Sequence, residues 1–121
     1  ATYSDDSFGT DTIKGFLDNG YLMDPHTATC IKAYKELKDK PLKTVIYSTA
    51  EWTKFSPTVL NALNKNQIKY SDKQALEEIS SKYNATLPQS IKELFNAKIN
   101  HSLVIEKENI EVEIVKFIRE S

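Results

Sequence analysis

The chain has 121 residues, 27% of them charged and 40% hydrophobic, with a formal net charge of −1. This balance excludes a disordered chain, and it leaves no basic field to hold a nucleic acid or an anionic membrane. The single cysteine, Cys30, rules out an internal disulfide, and the three glycines do not gather into a phosphate-cradling loop.

Taken in order, the segment from Ser4 to Asn19 reads as a helix. Ser4 or Asp5 can cap it, and Ile13, Phe16 and Leu17 form its apolar stripe. Asn19-Gly20 stops it, because glycine enters the left-handed region without a Cβ clash. Asp24-Pro25 opens a second helix: the carboxylate accepts from unpaired N–H groups, and proline at the first position has none to waste. Ala28, Ile31, Tyr34 and Leu37 line its inner face. Cys30 reads as a small core residue. Pro41 prevents continuation.

Thr44-Val45-Ile46-Tyr47 is a run of β-formers of strand length, followed by Ser48-Thr49-Ala50. A strand that ends in hydroxyls aims polar groups at whatever lies beside a sheet edge. A plain strand exit has the same composition. Ser56-Pro57 starts a third helix through Val59, Leu60 and Leu63. Ser71-Asp72 caps a fourth with Leu76, Ile79 and Tyr83, ended by Asn84. Leu87-Pro88 leads into a short fifth with Ile91, Leu94 and Phe95. Ile110, Ile114, Phe117 and Ile118 recur at helical spacing in the last segment, although Val112 and Val115 keep a strand open there. One strand cannot form a sheet by itself. The expected fold class is therefore α/β: a predominantly helical chain with one clear strand belonging to a larger sheet.

No run approaches the ~18 apolar residues of a membrane helix, and the N-terminus is too polar and acidic for a signal peptide. With a lone cysteine, the cytoplasm is the expected location. His26 and His101 lie far apart without cysteines at metal spacing, so no metal site is expected.

Two stretches carry a resemblance to a known family. Gly20-Tyr21-Leu22-Met23-Asp24-Pro25-His26-Thr27-Ala28 resembles the Gly-Tyr-x-x-[Asp/Glu]-Pro-His-[Thr/Ala]-Ala stretch of threonine synthase. Thr44-Val45-Ile46-Tyr47-Ser48-Thr49-Ala50, closed by Lys54-Phe55, is similar to that family's apolar strand, Thr-Ala turn and Lys-Phe ending. After the turn the family usually has His, then Gly or Pro; here stand Glu51 and Trp52. Trp52 is expected to cover a bare edge or another copy.

The resemblance implies a pyridoxal 5'-phosphate enzyme of the tryptophan-synthase-β fold (fold type II). It would convert O-phospho-L-homoserine and water to L-threonine and phosphate, with the cofactor as electron sink. It implies that a hydroxyl meets the pyridine nitrogen: Thr49 by position, or its neighbour Ser48, with His26 and Thr27 near the same site. The family's Schiff-base lysine sits in a Phe-Lys-Asp motif that does not occur here, and Lys54-Phe55 has the reverse order. No catalytic residue is therefore assigned. The resemblance implies the C-terminal portion of the enzyme, with about 1–65 in the large domain and about 66–121 a helical extension. Such a piece is expected to be inactive alone, and to pair through apolar surface around Val45 and Tyr47. The alternative is a non-catalytic helical interaction module.

Overall fold

The computed structural model describes residues 1–48, 50–100 and 102–120. Six helices follow one another: α1 (Asp6–Leu17), α2 (Pro25–Leu37), α3 (Ser56–Asn64), α4 (Asp72–Tyr83), α5 (Gln89–Leu94) and α6 (Ile110–Glu120). Short 3-10 turns precede α3 (Trp52–Phe55) and α6 (Lys107–Asn109).

Local chemistry sets most helix ends. Asp5 accepts from the Phe8 N–H at 2.8 Å and caps α1. Gly20 then takes φ +82°, and its N–H closes onto Leu17 O at 2.8 Å. A capping box starts α4: Ser71 Oγ accepts from the Gln74 N–H, and Gln74 Oε1 accepts from the Ser71 N–H at 3.1 Å. Asn84 ends that helix at φ 53°, a left-handed position that asparagine tolerates well.

The core is built from α1 to α4. α1 packs on α2 and α3, and α3 packs in turn on α4. α3 is at the centre, with Val59, Leu60, Ala62 and Leu63 all buried. Ile13 and Met23 meet it from one side, and Ala75, Leu76 and Ile79 from the other. Polar ties reinforce the contact. Asn64 Oδ1 accepts from Lys82 Nζ at 2.5 Å and from the Tyr83 hydroxyl at 2.8 Å. The Asn61 amide pairs with both backbone groups of Ile68, each at 3.0 Å, so the link between α3 and α4 is satisfied without a strand partner.

The α/β expectation is overturned. The described residues contain helices and no strand. Thr44 to Tyr47 is neither strand nor helix. Val45 is 77% exposed and Tyr47 83%, while Ile46 alone leans on the core. β-propensity is a preference for a pleated, half-buried surface. With no neighbouring strand among the described residues, that preference has nothing to act on.

Three smaller expectations also change. Cys30 is exposed. Trp52 is only 9% exposed and belongs to the core. Leu37, Leu94 and Phe95 face outward, and no residue of α6 is buried. No described helix is long and apolar enough to cross a membrane.

Candidate functional site

The N-terminus of α2 and the segment after Tyr47 meet at one carboxylate. Asp24 is 1% exposed. Its Oδ1 accepts from the His26 N–H at 2.9 Å and the Thr27 N–H at 3.2 Å, which is its work as helix cap. Its Oδ2 faces the other way and receives two hydroxyls: Thr27 Oγ1, in a short contact, and Ser48 Oγ at 3.1 Å. Thr27 Oγ1 and Ser48 Oγ are 3.0 Å apart, and Ser48 Oγ stands 2.7 Å from Ala50 O. One side chain thus fastens Ser48 to a helix start more than twenty positions upstream.

Burial pushes the Asp24 carboxyl toward the neutral form. Hydrogen bonds from the Thr27 hydroxyl, the Thr27 and His26 N–H groups and the Ser48 hydroxyl outweigh it, and hold the carboxyl below its ordinary range. Asp24 is therefore a carboxylate at neutral pH.

The proton inventory decides what Ser48 offers. Each hydroxyl has one proton and two lone pairs. The two protons of Thr27 and Ser48 face Asp24 Oδ2, Ala50 O and each other. Both are drawn inward, since the carboxylate and the carbonyl only accept. Ser48 Oγ has three oxygen neighbours within 3.1 Å, Thr27 Oγ1, Asp24 Oδ2 and Ala50 O, which together account for its proton and its lone pairs.

Ser48 and Asp24 open on a cleft of about 540 Å³, with Tyr21, Glu51 and Trp52 among its walls. Two carboxylates and no lysine or arginine line it among the described residues. Such a wall suits a neutral or cationic nitrogen and repels a phosphate.

Of the residues singled out from sequence, Thr27 and Ser48 are brought into direct contact. His26 stands on the Oδ1 side of Asp24, opposite Ser48. Its side chain is exposed, its ring edge stands on Phe55 at 4.7 Å and 62°, and its Nδ1 is 3.4 Å from Asp24 Oδ1. It borders a different cleft, between α1 and α3. Thr49 lies outside the described residues. Lys54 rests over the Phe55 ring at 5.5 Å. No three His, Cys, Asp or Glu side chains stand together as a metal site among the described residues.

The hub, Asp24, was read from sequence only as a cap. The available signal was that a cap uses one carboxylate oxygen and leaves a second, with its own lone pairs, to be satisfied when the position is buried. Glu51 and Trp52 gave no such signal.

Over 70 residues, 58% of its length, the chain is 36% identical to Threonine synthase-like 1 of Mus musculus and of Homo sapiens. The same protein of Pongo abelii matches at the same identity and extent. The chain spans only about 9% of the length of these curated relatives. No family model matches it.

Proposed function

We propose that this chain is a portion of a threonine synthase-related protein, and that its Asp24–Thr27–Ser48 cluster forms one wall of a pyridoxal-phosphate site. The parent would convert O-phospho-L-homoserine and water to L-threonine and phosphate. The observation that carries the reading is the 36% identity over 70 residues to proteins named Threonine synthase-like 1. The cleft supports it on independent grounds. A small hydroxyl, held from behind by a buried carboxylate, faces an opening without basic groups. That suits the nitrogen edge of a pyridine ring, while the phosphate end would be held by other residues.

The bound cofactor would supply an electron sink for carbanionic charge. The contribution of this chain is orientation. Ser48 Oγ would stand against the pyridine nitrogen as a neutral partner, held in place by Asp24 Oδ2 and Ala50 O. Thr27 keeps the carboxylate turned toward Ser48. Thr49 would be the alternative hydroxyl.

The test uses the full-length protein that contains this segment. Loaded with cofactor and given O-phospho-L-homoserine, it should release phosphate and threonine in equal amounts. Ser48→Ala or Thr49→Val, whichever removes the true partner, should lower turnover about ten- to hundredfold through one lost hydrogen bond to the cofactor. A folded, cofactor-loaded protein that releases no phosphate would refute the reading.

A further inference from the structure

We propose that Asn19 is a modification site: it loses its side-chain amide to water when the end of α1 opens, and the closed fold holds that reaction in check. This rests on the turn between α1 and α2 and is independent of the reading of the cleft.

Asn19 is the one asparagine in the sequence that is followed by glycine. Without a Cβ, the backbone nitrogen of a glycine is unhindered. In an open chain it attacks Cγ of the preceding asparagine. A C–N bond forms, the side-chain nitrogen leaves as ammonia with the proton that the backbone N–H gives up, and a five-membered imide remains. Water then opens the imide at either carbonyl, which leaves aspartate or isoaspartate. The net exchange is amide for carboxylate, and water is the only co-reactant. Asn19 and Gly20 are both exposed, so water reaches them. Gly20 is also what the stop of α1 requires, since φ +82° is a left-handed position that other side chains strain to adopt. The residue that ends the helix is the one that makes Asn19 labile.

The closed stop restrains both reacting groups. The Gly20 N–H donates to Leu17 O at 2.8 Å, so the proton of the nucleophile is engaged. The Tyr21 N–H donates to Phe16 O at 3.0 Å, which completes the pair of bonds of a Schellman stop. Asn19 Nδ2 donates to Gly15 O at 2.9 Å, one turn back. That bond draws Cγ toward the start of the helix, away from the Gly20 nitrogen that follows. Across the same stop the rings of Phe16 and Tyr21 meet edge to face, with centroids 6.5 Å apart at 72°. Reaction therefore waits for the end of α1 to open. Its product cannot close the stop in the same way. Isoaspartate adds a carbon to the main chain, and aspartate places a negative charge at the negative end of the helix dipole, beside Asp18. Either way the amide donor to Gly15 O is gone.

The test is peptide mapping by mass spectrometry on the intact chain, held in mildly alkaline buffer with and without denaturing urea. In urea, Asn19 should be the first asparagine to convert, with isoaspartate among the products. In the folded chain the same conversion should be slower by about tenfold or more, because only the open fraction reacts. Tyr21→Ala removes the ring contact across the stop. It should speed conversion in the folded chain about two- to tenfold and leave the rate in urea unchanged. A folded chain that converts as fast as the unfolded one overturns the proposal. So does conversion of another asparagine ahead of Asn19 in urea, or a folded Tyr21→Ala chain that converts no faster than the parent sequence.

Discussion

The Ser48 hydroxyl reaches the buried Asp24 carboxylate at 3.1 Å across 24 positions of sequence. This contact turns a helix cap into a clamp, because the oxygen not engaged by backbone N–H groups is the one that holds the distant segment.

Removing the clamp should cost more than removing a cap. Asp24→Ala deletes the acceptor for two backbone N–H groups and two hydroxyls. Loss of a cap costs about 1 kcal/mol and hydrogen bonds to a charged group about 1.5–3, so we expect about 2–4 kcal/mol of destabilisation. Urea unfolding should show a lower midpoint with an unchanged slope.

The same carboxylate sets a pH dependence. Its folded pKa lies below its unfolded value. As pH falls, the unfolded state therefore binds the proton first. The stabilisation is complete above the ordinary carboxylate pKa of about 3.9 and is lost as pH falls through the folded value. Unfolding curves of the parent chain and of Asp24→Ala should differ most near neutrality, and should converge in acid. A gap that is constant down to the acid limit would mean that the carboxylate charge contributes nothing.

Core and tail should respond differently to truncation. Ile79 and Leu60 are fully enclosed between helices, whereas Val45 is not. Ile79→Ala or Leu60→Ala should destabilise by about 2–5 kcal/mol, because each leaves a cavity as well as losing burial. Val45→Ala should change stability by no more than about 0.5 kcal/mol. Thermal melts of the three variants measure this.

Cys30 is exposed on α2. A disulfide reagent such as Ellman's should therefore titrate one thiol per chain without denaturant, at a rate that does not track unfolding. Protection of that thiol until the chain unfolds would contradict its placement.

The starts of α1, α2 and α4, and the stops at Gly20 and Asn84, were legible in the sequence because each is decided within a few residues. A cap accepts from an N–H two or three positions on, and a left-handed stop needs one suitable residue. The apolar stripes of α3 and α4 were legible for the same reason, since their period belongs to the helix itself. Burial and pairing could not be read in this way, because both depend on what lies opposite. Among the described residues, Val45 and Tyr47 have β-forming side chains without a strand beside them, Trp52 enters the core while Cys30 stays outside, and no residue of α6 is buried. Nothing local to Asp24 or to Ser48 states that they touch. Local hydrogen bonding determined where the helices begin and end, and tertiary packing decided which faces are covered and brought the hydroxyl of one segment to the carboxylate of another.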